Sequence, residues 1–128
     1  FLLPGKVLDF TDQHVNVEVQ RISASPLSIE RSNFSPRTNG SPVLGQPVMI
    51  AIRPEKIEMW GSLPEGRLNV IPAHLKAAQF LGDRYEYTVA LGSETRVLVS
   101  PTAQPFRAGD KVFLELKCEG ITLWPQDG

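Results

Sequence analysis

Cysteine is almost absent from this sequence: Cys118 is the only one in 128 residues, so no internal disulfide can form. A single free thiol fits a reducing compartment. Long apolar runs are absent as well, and none approaches the roughly 18 residues that a membrane-spanning helix needs. Residues 1–5 have neither an initiator methionine nor the basic and apolar regions of a signal peptide. We therefore expect an excised piece of a longer protein, with no direct insertion into a membrane.

An excess of charge of one sign is also missing. The chain has 13 lysines and arginines against 14 aspartates and glutamates, for a formal net charge of −1. Nucleic-acid binders usually carry a basic footprint, and the totals show none. We therefore expect no nucleic-acid partner. An OB-type binder that stacks single-stranded bases on Phe80, Tyr85 and Tyr87 is kept as an alternative.

The motifs that usually carry catalysis are missing too. The sequence has no Gly-x-x-x-x-Gly-Lys-Ser/Thr loop to cradle a phosphate. His14 and His74 are the only histidines, and no cysteine–histidine spacing fits a zinc site. Cys118 has only Lys117 beside it as a basic activator, which predicts an inert thiol. We expect no enzyme activity, no catalytic residue, no metal and no cofactor in this chain.

What the sequence does contain is a series of short segments that alternate apolar and polar residues, the pattern of half-buried strands. Residues 15–19 have valine at every second position, and residues 6–10 are the predicted hairpin partner. Residues 11–13 supply the turn, where Asp12 is expected to bond its own backbone. Further strands are predicted within residues 47–60 (broken at Pro54), 85–91, 95–99, 111–118 and 121–124.

Two segments are less regular. Residues 68–81 contain helix formers, but Pro72 and Gly82 bracket them closely, and we prefer a strand. Residues 23–46 are rich in serine and proline with little periodicity. They predict a surface loop with a short edge strand near residues 27–29.

The most informative feature is an internal repeat. Residues 45–60 and 109–124 align without a gap at an offset of 64. Each copy has a glycine turn, an alternating strand, a tight break, a short strand and a tryptophan. The repeat predicts an all-β fold of two small OB-like barrel lobes, approximately 1–62 and 63–128, that share a core. Trp60 and Trp124 are expected to be equivalent buried anchors.

The same residues resemble a known family. Residues 48–57 (Val-Met-Ile-Ala-Ile-Arg-Pro-Glu-Lys-Ile) resemble the Val-x-φ-x-φ-Arg-Pro-Glu-x-φ segment of TOBE domains, where φ is apolar. Residues 80–89 resemble the second strand pair of that family, and residues 109–114 match its closing Gly-Asp-x-Val-x-Leu strand. Residues 1–7 resemble the place where the domain follows a nucleotide-binding domain. TOBE domains are the C-terminal OB-like regulatory domains of ABC importer ATPases, and this pattern is most similar to those of polyamine, iron(III) and sugar importers.

The resemblance implies a regulatory function and a set of partners. The parent would be an ATP-binding subunit whose upstream ATPase domain, with its ATP and Mg²⁺, is absent from this sequence. The domain would hold two such subunits together while their nucleotide-binding domains open and close. Its expected partners are a second copy, the parent ATPase domain and the importer permease subunits. The expected location is cytoplasmic, peripheral to the inner or plasma membrane.

Five residues are candidates for regulation or subunit contact. Arg53 and Glu55 stand on either side of Pro54, where they can clamp a partner, join the lobes or form a solvent-exposed ion pair. Tyr85, Tyr87 and Phe113 are expected to be exposed on strand faces and to contribute to a two-fold interface.

The alternative function is a small-ligand sensor for oxyanions. Arg84 and Arg96, together with Arg53, are its candidate anion contacts. Backbone amides near Gly82 or Gly109 would complete an anion-binding nest.

Overall fold

The computed structural model describes residues 1–19, 21–23, 25–34 and 42–126. The alternating segments form strands, and three short breaks form 3-10 turns. The strands are β1 (Leu2–Phe10), β2 (His14–Glu18), β3 (Leu27–Glu30), β4 (Pro47–Ile52), β5 (Ile57–Trp60), β6 (Val70–Phe80), β7 (Tyr85–Leu91), β8 (Glu94–Ser100), β9 (Lys111–Leu116) and β10 (Ile121–Pro125). The 3-10 turns are Arg31–Asn33, Pro54–Lys56 and Cys118–Gly120. Nothing in the described ranges is helical over a length that could cross a membrane.

The strands form two five-stranded sheets with the same architecture. The first sheet has the order β10-β4-β1-β2-β3, and the second has the order β5-β9-β6-β7-β8. Neighbouring strands in both sheets are antiparallel. The prediction of an all-β fold with two OB-like lobes is confirmed.

Each half of the chain lends its last strand to the other half. β5 pairs with β9, from Ile57 opposite Leu116 to Trp60 opposite Phe113. β10 pairs with β4 in the same way, from Ile121 opposite Ile52 to Pro125 opposite Val48. A boundary near residue 62 thus divides the ten strands into two sequence halves of five. Each sheet, however, contains four strands from one half and one strand from the other.

The two exchanged connections cross beside each other at a local two-fold axis. The Arg53 N–H donates to the Gly120 carbonyl, and the Lys117 N–H donates to the Lys56 carbonyl, each at 3.0 Å. An offset of 64 converts either bond into the other, which is the offset of the sequence repeat. Each copy of the repeat therefore contains two strands: β4 and the crossing strand β5 in the first copy, and β9 and the crossing strand β10 in the second.

The structural repeat extends further than the sequence repeat. β1 has a β-bulge between Val7 and Asp9 where it pairs with β2. β6 has the matching irregularity between Leu75 and Ala77, at an offset of 68. Bulges bend a strand and increase its twist, so both lobes curl at equivalent points.

The first hairpin forms as predicted, with a different residue at its turn. Val15 and Val17 are buried, which confirms the predicted alternation. The Thr11 Oγ1 accepts from the Gln13 and His14 N–H groups at 3.2 and 3.0 Å. Thr11 therefore has the role that the sequence assigned to Asp12, because a hydroxyl oxygen accepts at the same short range as a carboxylate.

The two irregular segments also match their predictions where the structure describes them. β3 is the short strand predicted near residues 27–29, and β6 is the strand preferred over a helix for residues 68–81. β6 pairs on both sides, with β7 and with β9, and these partners override the local helix formers. Residues 35–41 of the predicted surface loop lie outside the described residues.

The prediction that Trp60 and Trp124 are buried anchors is wrong. Both rings are half-buried, and the core is filled by aliphatic side chains such as Ile50, Leu114 and Leu123. The Trp60 Nε1 donates to the Glu115 Oε1 at 3.1 Å, so its indole lies at the rim of the core. Trp60 is the last residue of β5, and Trp124 is the last but one of β10.

Candidate functional site

Arg53 links the two halves at the local two-fold axis. Its Nη2 donates to the Glu119 carbonyl at 3.0 Å, across the crossing point of the two connections. Its Nε lies 4.0 Å from the Glu55 Oε1, and both side chains are more than half exposed. Exposed pairs of this kind contribute little stability. A partner that binds the Arg53 guanidinium would therefore have to replace its hydrogen bond to the Glu119 carbonyl.

A hairpin arm projects from the second sheet. β9 pairs with β6 only from Val70 to His74, whereas β6 and β7 continue together to Phe80 opposite Tyr85. We call residues 77–87 the hairpin arm. Phe80 is 58% exposed, and its ring lies 4.9 Å from that of Tyr85. On its other side β8 pairs with β7 as far as Tyr85, so the arm extends beyond β9 and presents the exposed Phe80 there.

The three aromatic candidates lie in three different environments. Tyr85 is half-buried on the arm, and its ring stacks on that of Tyr87 with centroids 6.4 Å apart. Tyr87 is only 2% exposed, and its hydroxyl oxygen accepts from the Gln104 N–H at 2.7 Å. The prediction of an exposed Tyr87 is wrong because β7 turns this face into the barrel. Phe113 is half-buried on β9, between β5 and β6, where the Lys111 Nζ lies 5.5 Å from its ring centroid.

Arg84 and Arg96, the predicted anion contacts, already have partners and lie apart. Arg84 Nη1 is 3.1 Å from both carboxylate oxygens of Asp83 at the tip of the arm. Arg96 Nε donates to the Leu2 carbonyl at 3.0 Å, and its Nη1 lies 3.8 Å from the Glu94 carboxylate. Tyr85 pairs with Ser100, four positions along β8 from Arg96. Arg84 precedes Tyr85 and adds a fifth position. At a strand rise of about 3.3 Å per residue, the two arginines therefore lie about 17 Å apart along the sheet.

A groove on the first lobe brings together two cations that sequence reasoning missed. The groove has a volume of about 400 Å³, and Lys6, Glu18, Arg21 and Glu94 are among its lining residues. Neither Lys6 nor Arg21 has an ion pair with any residue that the structure describes. Lys6 is opposite Glu18 in the β1–β2 hairpin, and Arg21 follows three residues later. This pairing, invisible in the residue spacing, places both cations at one groove.

Cys118 is poorly suited to reaction. Its burial raises the pKa of the thiol above its ordinary value, and the carboxylates of Glu30 and Glu119 add to the effect. A thiol with a raised pKa is rarely the nucleophilic thiolate. Within the described ranges, no cluster of three histidine, cysteine, aspartate or glutamate side chains could hold a metal ion.

The comparison with protein families decides what kind of domain this is. The family model for the TOBE domain matches residues 50–124, which is more than half of the chain. The chain belongs to the TOBE domain family. The match begins within β4 and ends within β10, so it spans the whole second sheet and both crossing connections of this TOBE domain.

Solved structures share the fold of this TOBE domain. One is the cytoplasmic molybdate-binding protein ModG in a crystal form with molybdate bound. That chain is 12% identical, with a TM-score of 0.73 over 96% of this chain and 94% of ModG. At this identity the likeness shows the fold alone. No curated protein sequence matches the chain.

Proposed function

We propose that this TOBE domain is the non-catalytic regulatory and dimerisation domain of an ABC importer's ATP-binding subunit. It would hold two subunits together through the ATP-driven cycle. The family match supports a regulatory domain, and the hairpin arm is the observation that carries dimerisation. An aromatic pair at the end of the arm, with Phe80 58% exposed, is an anchor of the kind that interfaces favour.

The proposed mechanism depends on effective concentration. A standing contact between two regulatory domains keeps the attached ATPase domains near each other after ATP is hydrolysed. Re-forming the ATP-bound pair then costs less entropy than a fresh encounter. ATP and Mg²⁺ would act in the parent ATPase domain, on the cytoplasmic side of the membrane and against the permease subunits.

The proposed interface is two-fold and self-complementary. In a two-fold dimer the same patch contacts itself, so Phe80 and Tyr85 of one arm would pack against the equivalent arm or the strand beside it. A specific interface buries about 800 Å² on each partner, so we expect it to include residues beside the arm. The exposed Leu81 at the arm tip and the outer face of β8, with Val97 and Val99, would contribute the remainder.

Light scattering behind size exclusion tests this proposal at two protein concentrations. We expect a mass near twice 14.2 kDa for the natural chain. Phe80→Ser should shift the mass towards the monomer, because it removes the exposed aromatic anchor. Leu63→Ser is the matched control, since Leu63 is 64% exposed against 58% for Phe80 but lies outside the arm. A monomer at both concentrations for the natural chain would contradict the proposed dimer.

A second candidate function is the sensing of a small oxyanion. The groove with Lys6 and Arg21 favours it, because both cations face one concave site without ion pairs in the described chain. The fold shared with a molybdate-binding protein is consistent with such a ligand. Arg84 and Arg96 are replaced in this role because each already contacts a carboxylate.

Thermal unfolding in millimolar molybdate, sulfate or phosphate tests the second candidate. Binding to the folded state raises Tm, and the stabilisation grows with the logarithm of the ligand concentration once this exceeds Kd. We expect the rise to be lost in Lys6→Gln/Arg21→Gln and kept in the control Arg84→Gln. An unchanged Tm with all three anions would end the oxyanion hypothesis and leave the dimer proposal intact.

A further inference from the structure

The two lobes differ at one place that the local two-fold axis should make equivalent. Each sheet has two edge strands that face each other across a seam, β10 and β3 in the first sheet and β5 and β8 in the second. In the first lobe the chain covers its own seam. Phe34 forms a parallel bridge with Leu123 of β10, and the Asn33 Nδ2 donates to the Cys118 carbonyl at 2.9 Å.

The equivalent seam of the second lobe is open. Among the described residues, no backbone hydrogen bond joins β5 to β8. A groove of about 370 Å³ lies between them instead. The returning chain reaches the far end of β5, where a Cβ at Gly61 would lie 3.1 Å from the Phe106 ring. It leaves the edge of β5 uncovered.

The offset of 64 identifies a backbone carbonyl in the second lobe that can accept a further hydrogen bond. Leu123 corresponds to Met59, and Cys118 corresponds to Pro54. The Cys118 carbonyl accepts from the Ile121 N–H and also from Asn33. The Pro54 carbonyl accepts from the Ile57 N–H, and no described side chain takes the place of Asn33. A carbonyl oxygen has two lone pairs, so Pro54 can accept a second donor.

The groove has an apolar floor and a polar rim. Tyr87 and Leu98 are buried at its floor, beside the half-buried Met59. On the β8 side the Ser100 hydroxyl already donates to the Thr102 carbonyl at 2.8 Å, and the Thr102 hydroxyl has no partner among the described residues. Alternating apolar and hydrogen-bonding positions along an open strand edge are the features that strand addition uses.

The charged groups at the rim favour a neutral or basic occupant. Glu55 and Glu58 line the groove together with a single cation, Lys117. The Lys117 Nζ lies 3.4 Å from a Glu58 carboxylate oxygen, so this cation is already paired. The Glu55 carboxylate lies 4.0 Å from the Arg53 Nε, and Arg53 does not line the groove. The lining itself therefore has one more carboxylate than cations, although the exposure of these groups limits their attraction for positive charge.

We propose that the seam between β5 and β8 binds an extended peptide segment of a partner protein, neutral or basic, in which an asparagine precedes an aromatic residue. The segment runs parallel to β5, with its aromatic ring on Met59 and Leu98 and its amide on the Pro54 carbonyl. The argument for this occupant is the chain's own Asn33-Phe34, which fills the equivalent seam of the first lobe in this way. The proposal does not depend on dimerisation or on oxyanion binding.

A synthetic peptide that copies residues 31–37 (Arg-Ser-Asn-Phe-Ser-Pro-Arg) tests the proposal with the full chain. We expect millimolar peptide to shift the backbone amide resonances of residues 57–60, 98–100 and 102 in saturable fashion. A peptide with phenylalanine replaced by alanine should bind about tenfold more weakly, since most of the buried apolar area is lost. No saturable shift, or a shift centred on residues 121–124, would overturn the proposal.

Two protein variants locate the peptide independently of its sequence. Met59→Arg places a charge at the floor of the groove and should abolish the shifts. Leu68→Arg is the matched control, because Leu68 is 65% exposed and does not line the groove. Circular dichroism confirms that each variant is folded. If Met59 were intolerant, Thr102→Trp at the rim is the second variant, expected to block the groove sterically. Unimpaired binding by a folded Met59→Arg or Thr102→Trp protein would contradict the assignment to this seam.

Discussion

Gly120 lies at the local two-fold axis, where the two 3-10 turns meet. It is buried, and a Cβ at this position would overlap the Lys56 Cβ and lie 2.6 Å from the Lys56 Cγ. Its backbone φ is not in the left-handed region, so the requirement for glycine is one of space. We expect Gly120→Ala to destabilise the fold by about 1–3 kcal/mol through overpacking. Thermal unfolding followed by circular dichroism measures the loss.

A double-mutant cycle with Lys56 separates this steric contact from a backbone effect. Lys56→Gly removes the Cβ that the new methyl group would meet, so the added cost of Gly120→Ala should largely vanish in the double variant. Additive losses in the two positions would mean that the close approach of the turns is not what selects glycine.

Cys118 gives a pH-dependent prediction at the same scale. Burial and two nearby carboxylates raise the pKa of its thiol, so at a given pH the folded protein has less thiolate than the unfolded chain. We expect the midpoint of alkylation rate against pH to lie higher for the native protein than for the chain in denaturant. The midpoint is the proper readout, since restricted access lowers the rate at every pH. Coincident midpoints would contradict the raised pKa.

At the scale of the element, β10 completes a sheet that belongs to the other half of the sequence. It covers one edge of β4 and adds Ile121 and Leu123 to the core. Truncation after Gly120 should therefore cost about 3–6 kcal/mol in lost burial, at about 1.5–3 kcal/mol per side chain. We expect loss of the cooperative thermal transition, measured by circular dichroism. A chain truncated after Gln126 is the control and should unfold like the natural chain.

The hairpin arm and the open seam are also properties of elements. Both arise because the second lobe has a longer β6–β7 hairpin and a different return after β8 than the first lobe has after β3. The shared part of the fold is thus the strand order, and the functional proposals rest on the parts where the lobes differ.

At the scale of the whole molecule, the exchange of strands makes the lobes inseparable. Each half alone lacks the last strand of its own sheet, and a lobe near 60 residues has little core to spare. We expect residues 1–62 and 63–128 to be unfolded as separate fragments. Mixed in equal amounts, they should recover the native circular dichroism spectrum and one cooperative transition. A dispersed nuclear magnetic resonance spectrum from either fragment alone would contradict this interdependence.

Much of the candidate site could not be predicted from the sequence, because its residues come together only through strand pairing. Alternation placed Tyr85 and Tyr87 on one face of a strand, but it could not say which part of that face enters the barrel. The distance between Arg84 and Arg96 depends on the β7–β8 register, and the groove with Lys6 and Arg21 depends on the β1–β2 register. The irregular end of β6, where alternation stops before Phe80, was the one local signal of an exposed arm.

By itself, the sequence determined the strand positions, the family and the two-lobed plan. Period-two alternation, turn residues and an ungapped repeat are properties of neighbouring residues, so they can be recognised without knowing which strands pair. Only the tertiary structure decided that β5 and β10 cross between the lobes. The repeat gives β4 and β9 the same apolar pattern, so the sequence does not show which of them pairs with β5 and which with β10. The asymmetry of the seams was decided there too. It depends on how Asn33 and Phe34 meet a strand about 90 residues away, and such a contact follows from packing of the whole chain.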